Sequence, residues 1–244
     1  MNHLSDQDLL TIWEYGVQHS IIETNLFLLS FAYPEYSLNQ IMSFPIGERD
    51  ARLLRIRERH FGPVFQNISN CSACGEKIEW ENLVDDLMFQ EINDDVEIES
   101  LSLDYDDHQI SFRLPNSQDV LEVINLPNIY EQEDQLIQKC LVKSTLSNNH
   151  FEDIQKDIKD ELLLKMEEHD PQANIIMNLS CPECKNEWKS TFDIMEYLWT
   201  EINEWGIQMM KDIYLLAQNF GWSEKAILEM SRFRRNLYIN MLNG

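Results

Sequence analysis

The chain has 244 residues, 43% hydrophobic and 10% aromatic, enough to bury a core and too apolar for a disordered acidic tail. No stretch approaches about 18 continuous apolar residues, so no membrane insertion is expected. Nineteen basic against 43 acidic side chains give a net charge of −24, a field that repels phosphate and argues against nucleic acid as a partner.

Ser5 is placed to cap a first helix over residues 5–19, with Asp8 as the other half of a capping box and Leu9, Leu10, Trp13 and Val17 at helical spacing. A second helix is expected from Ile22 to Phe31, ended by Ala32-Tyr33-Pro34. A third runs from Ile46 to His60, with an apolar stripe of Ile46, Leu53, Leu54 and Phe61 and stop signals at Gly62 and Pro63. It holds Arg49, Arg52, Arg55, Arg57 and Arg59, five of the 19 basic residues. Guanidinium forks suit carboxylates. This face therefore grips the acidic middle of the chain, grips an outside partner, or is solvated beside Glu48, Asp50 and Glu58; the intramolecular or solvated reading is preferred.

The strongest signal comes next. Cys71-Ser72-Ala73-Cys74-Gly75 is a thiolate hook on a tight turn, and Cys181-Pro182-Glu183-Cys184-Lys185 is a second. Each is followed by an apolar/polar alternation, Ile78 and Trp80 after the first, Trp188 and Phe192 after the second. One hook offers two ligands, whereas a structural zinc takes four in a tetrahedron. The pair reads as two halves of one zinc ribbon, with Cys71, Cys74, Cys181 and Cys184 as ligands. Residues 75–180 separate them, 106 in all, against roughly 15–20 in the common ribbon. The longer loop costs on the order of 1–2 kcal/mol more by chain entropy, while structural zinc binds with roughly 10–16 kcal/mol. The metal term wins, so an inserted subdomain is tolerated. Two disulfides or a redox motif are the competing readings. Without a secretory leader the five cysteines point to a reducing compartment, the bacterial cytoplasm, and a redox motif leaves the second hook unexplained.

The insert carries 26 acidic against 7 basic side chains, −19 of the whole −24. It is read as a solvated surface first and as a docking face for a basic partner second. Leu101, Leu103 and Tyr105 alternate, as do Ile110, Phe112 and Leu114, which makes a hairpin around Asp106-Asp107-His108. A calcium loop fails there, because no Gly stands at the sixth position and Pro115 replaces the bidentate Glu. Ser117 is placed to cap a short helix with Val120, Leu121 and Ile124, and helices are expected at 131–143 and 151–168. Cys140, in the apolar period of Leu136, Ile137 and Leu141, reads as a core thiol. A strand with Ile175, Met177 and Leu179 leads into the second hook.

A long helix is expected from Phe192 to Asn219, apolar at Met195, Leu198, Ile202, Trp205, Met209 and Ile213, with Gly221 at its end. Ser223 and Ser231 then start two short helices, the last with Phe233, Leu237, Tyr238 and Met241. No phosphate loop, GxSxG elbow or HExxH motif is present, and the six histidines are scattered. Four thiolates would close the coordination sphere of the metal. The zinc is therefore structural and the protein is not expected to be an enzyme.

Phe44-Pro45-Ile46-Gly47-Glu48-Arg49-Asp50-Ala51-Arg52-Leu53-Leu54, running into Phe61-Gly62 and the first hook, resembles the T-even phage baseplate hub assembly chaperone family. So do Asp170-Pro171-Gln172-Ala173 before the second hook, Phe220-Gly221-Trp222-Ser223-Glu224, and Arg234-Arg235-Asn236-Leu237-Tyr238. The order of these motifs over most of the chain is the specific part. The resemblance implies a non-enzymatic assembly chaperone or component of the baseplate hub of a contractile phage tail or tail-like injection system. Its expected partners are hub or spike proteins, and its place is the cytoplasm or the assembled particle. It supplies no catalytic residues, and the zinc rests on this sequence alone. Trp222, Arg234, Arg235 and Tyr238 are the candidate partner surface, with ties between the final helices and the core as the competing role. A zinc-ribbon regulator binding nucleic acid is the alternative function, which the charge disfavours.

The expected fold is α+β and mainly helical. Residues 1–70 form an N-terminal helical segment, 71–96 with 174–192 a split zinc ribbon, 97–173 an acidic α/β insertion, and 193–244 a C-terminal helical segment.

Overall fold

The computed structural model describes residues 1–92, 100–105, 108–144 and 156–243. The chain forms two compact units nested in sequence, residues 1–37 with 195–244 and residues 38–194. The architecture is α+β and mainly helical, with three small antiparallel sheets among the described residues. None of the described helices is long and apolar enough to cross a membrane.

The first unit opens with α1 (Asp6–Gly16) and α2 (Ile21–Ala32), each started by a capping box, Ser5 with Asp8 and Ser20 with Glu23. In each box the serine hydroxyl accepts the third helical amide and the acid accepts the amide of the cap, which satisfies two orphan donors.

The second unit begins with α3 (Leu38–Ser43), which the sequence did not announce, and α4 (Ile46–Phe61). Pro45 starts α4 without a side-chain cap. The Gly47 amide donates instead to Asp170 Oδ2, at 2.9 Å and 123 residues away. Only glycine permits this approach, since a Cβ at position 47 would lie 1.7 Å from Asp170 Oδ1. More of α4 is buried than its apolar stripe: Arg49, Arg52 and Arg57 lie in the interior with Leu53, Leu54 and Ile56. Arg52 pairs with Glu48 at 2.8 Å and covers the Phe44 ring, and Arg49 pairs with Asp50 and donates to Ser117 Oγ. Arg57 donates to Gly62 O and covers the Phe65 ring, while Arg55 reaches Glu58 and Asp85. The arginine face is thus largely spent inside the molecule.

A hairpin of β1 (Val64–Asn70) and β2 (Lys77–Leu83) follows, then the short α5 (Val84–Leu87). β3 (Leu101–Tyr105) and β4 (His108–Phe112) form the expected insert hairpin. Its Asp106-Asp107 tip, the place of the calcium-loop reading, lies outside the described residues. α6 (Ser117–Val123) is capped by Asn116 and not by Ser117. Asn116 Oδ1 accepts the Asp119 amide and Asp119 answers the Asn116 amide, which leaves the buried Ser117 hydroxyl for Arg49. α7 (Ile129–Cys140) stops short of residue 143, and β5 (Leu141–Ser144) becomes a third strand in the order β3-β4-β5. Arg113, just after β4, explains the stop: its amide takes Cys140 O at 2.8 Å and its guanidinium takes Lys139 O at 3.0 Å.

α8 (Lys156–His169) covers this sheet, and its expected start at 151–155 lies outside the described residues. Leu103, Ile110, Phe112, Ile137, Ile158 and Leu162 form the core around Cys140. Burial pushes the Cys140 thiol up to about 12, so it stays protonated as a packing residue. A 3-10 turn at Pro171–Ala173 leads to the last hairpin, β6 (Ile175–Ser180) with β7 (Glu187–Phe192).

α9 (Ile194–Phe220), α10 (Glu224–Leu228) and α11 (Arg232–Asn243) complete the first unit. Leu10, Met209, Ile213, Leu216, Ile227 and Leu228 form its core. Trp13 lies so close over Gly206 that a Cβ there would meet the indole at 2.4 Å, and Trp13 Nε1 donates to Asn203 Oδ1.

Candidate metal centre

The pairings Asn70↔Lys77 and Ser180↔Glu187 close each hairpin over a six-residue loop, 71–76 and 181–186. The two loops are built alike. The Gly75 amide donates to Cys71 O at 2.9 Å, and the Lys185 amide donates to Cys181 O at 3.0 Å. The Cys71 and Cys181 amides return to Glu76 O and Asn186 O, at 2.8 and 2.9 Å. The residue after the second cysteine is left-handed in both, Gly75 at φ 77° and Lys185 at φ 60°. A lysine there carries strain of roughly 1–2 kcal/mol, and its Nζ folds back to donate to Pro182 O.

These turns put all four sulfurs together. Cys71 Sγ lies 3.6 Å from Cys184 Sγ and Cys74 Sγ 3.7 Å from Cys181 Sγ, and the four fall within 4.8 Å of one another. Sulfurs about 2.3 Å from a tetrahedral centre are separated by roughly 3.8 Å. A disulfide needs about 2.05 Å. Both close pairs run across the hooks, so each loop supplies two corners, and four such sulfurs can hold a metal ion. Cys71 and Cys181 are buried while Cys74 and Cys184 are exposed, so the cluster opens on one side to solvent.

The electrostatics favour a cation here. Amides of Cys74 and Ala73 pull the Cys71 thiol down to about 6. The Glu76 amide pulls Cys74 in the same direction, but the sulfurs of Cys184, Cys181 and Cys71 outweigh it and push Cys74 up to about 12. One thiolate forms readily and the next is opposed by its neighbours; a divalent ion reverses that sign.

Sequence reasoning missed two parts of this arrangement. Asn186 Nδ2 approaches Cys71 Sγ at 3.9 Å and Ser72 Oγ at 3.3 Å, tying the second loop to the first. At the far ends of the hairpins the Phe65 and Phe192 rings meet edge to face, with centroids 5.3 Å apart. The only available hint was the aromatic at one outer strand end of each hairpin. The four other singled-out residues lie on the first unit. Trp222 stacks on Phe220 at 4.6 Å and meets Tyr238 edge to face at 4.8 Å. Arg235 is buried against Asp6 at 2.7 Å, whereas Arg234 is exposed.

A family model described as T4 bacteriophage base plate protein matches residues 6–199, a span that includes both cysteine hooks. No curated protein and no solved structure matches the chain.

Proposed function

The chain belongs to the T4 bacteriophage base plate protein family, and from that premise we propose that it is a non-enzymatic assembly chaperone or component of the baseplate hub. It acts by contacts with hub or spike proteins and carries one structural zinc on Cys71, Cys74, Cys181 and Cys184. The observation that carries the role is the family match, which spans α1 through the first turns of α9 and takes in both hairpins and the acidic insert. The zinc rests on the donor set: four cysteine sulfurs at tetrahedral separations match a closed N/S site better than any oxygen-seeking cation. When bound, the ion joins the two hairpins. The hooks present it, the loop amides stabilise their thiolates, and Asn186 braces the Cys71 side.

Deleting the gene is expected to leave tail-tube and sheath proteins soluble but unassembled, and a tagged copy is expected to co-purify a hub or spike subunit. Normal particle yield from the deletion strain overturns the assembly role. Particle mass spectrometry then separates a resident component from a departing chaperone.

A further inference from the structure

Helix α11 carries Phe233, Leu237 and Met241 four residues apart on one stripe. All are exposed, Phe233 by 72% and Met241 by 69%, and large apolar side chains in a row on a surface mark a contact. The flanks are basic. Arg232 and Arg234 are exposed, and residues 230–244 contain no acidic side chain. Beside the stripe, α9 and α11 border a cleft of about 320 Å³ lined in part by Trp205, Asp212, Asn236 and Asn240. Arg235 lines it too. Its Nη2 is held by Asp6, which fixes the guanidinium at the wall of the cleft.

The complementary chemistry stands on the corner between α6 and α7. Ile124, Ile129 and Tyr130 are exposed, Tyr130 by 78%. Gln132 Nε2 donates to Ile124 O and Leu126 O, at 3.3 and 3.0 Å, which ties the first turn of α7 to the end of α6. Glu131 and Glu133 are exposed beside it, and no cationic side chain occurs from Leu114 to Gln138.

We propose that these patches are the two halves of a contact between copies of this chain. α11 of one copy receives the α6–α7 corner of the next, Phe233, Leu237 and Met241 covering Ile124 and Ile129. The Tyr130 ring enters the cleft between α9 and α11. Arg232 and Arg234 then face Glu131 and Glu133. Charge selects this pairing: α11 against α11 sets guanidinium on guanidinium, and corner against corner sets carboxylate on carboxylate. Because the patches differ, the contact is head to tail and closes into a ring where the rotation allows. An aromatic anchor in a cleft with arginines near it is the usual high-energy centre of an interface. Such self-association stands or falls independently of the hub role.

Light scattering on the full chain tests it. The average mass is expected to rise above the 29.0 kDa monomer as concentration climbs towards about 100 µM, and to fall back when salt of ~0.5 M screens the charges. Phe233→Asp and Tyr130→Ala, each folded by circular dichroism, are both expected to stay at monomer mass. Mixing them is expected to restore a species of twice that mass, since each retains the half that the other lacks. Wild-type protein that stays monomeric throughout overturns the proposal. So does a Tyr130→Ala variant that associates as the wild type does, or two folded variants that fail to complement.

Discussion

At Asp170 one carboxylate does the work of a missing helix cap. It accepts the Gly47 amide, it is 3% exposed, and burial, with Asp50 and Glu48 nearby and Arg49 partly offsetting them, pushes it up to about 6. A carboxyl whose folded pKa is raised contributes its stability below its unfolded value, and that contribution is lost as pH rises through the folded one. From the ordinary 3.8 to about 6 the loss is on the order of 3 kcal/mol. Asp170→Asn keeps an oxygen for Gly47 and removes the charge. In urea unfolding, wild-type stability is therefore expected to fall relative to the variant by up to about 3 kcal/mol between pH 4 and pH 7. A constant difference across that range rules this out. Gly47→Ala drives a methyl into Asp170 and is expected to cost more than about 2 kcal/mol by the same measurement. Arg235→Ala, which strips Asp6 of its partner, is expected to cost about 3 kcal/mol. Exposed Arg234→Glu is expected to leave stability within about 0.5 kcal/mol and to weaken recovery of a hub protein if the surface with Trp222 and Tyr238 is used.

At the scale of elements, the paired hairpins decide most. Native protein is expected to contain one zinc per chain by metal analysis, and Cys181→Ser is expected to lose it. Stripping the ion with a strong chelator is expected to lower stability by several kcal/mol in thermal unfolding, because binding energy of this kind is folding energy. An unchanged transition would show that the Phe65–Phe192 contact and strand packing suffice. The hooks were legible because two cysteines three residues apart can hardly be placed otherwise. β1 was not, since Asn67, Ser69 and Asn70 bury its alternation in polar side chains and the pairing is supplied by β2. β5 was hidden for the opposite reason: the helical period of Leu136, Ile137, Cys140 and Leu141 runs past the end of α7, and only the claim of Arg113 on the last carbonyls stops it. The cap that Ser5 and Asp8 build from neighbouring residues was legible in the sequence; the like box of Ser20 and Glu23 was there but went unread, and the cap that Asp170 lends to α4 could not be read at all.

Over the whole molecule, the charge is distributed unevenly. The −19 carried by residues 75–180 lies between the two hooks, while α11 is purely basic, so the chain is strongly polarised along its sequence. A filter-binding assay at about 150 mM salt is expected to retain no duplex DNA, and tight binding there would revive the regulator reading. The family match ends at residue 199, inside α9. The acidic corner therefore lies within the shared span and the α11 stripe beyond it.

The nesting of the chain also sets a timetable. During synthesis the first hook emerges as a bare pair of thiols, and its partner follows after 106 intervening residues. At about 5–20 residues per second that interval is roughly 5–20 s. α1 and α2 wait longer still, until α9 is made. Until then Cys71 and Cys74 are open to oxidants or a passing ion. If the four cysteines hold a metal, the yield of intact protein should therefore depend on how reducing, and how well supplied with that metal, its surroundings are during those seconds.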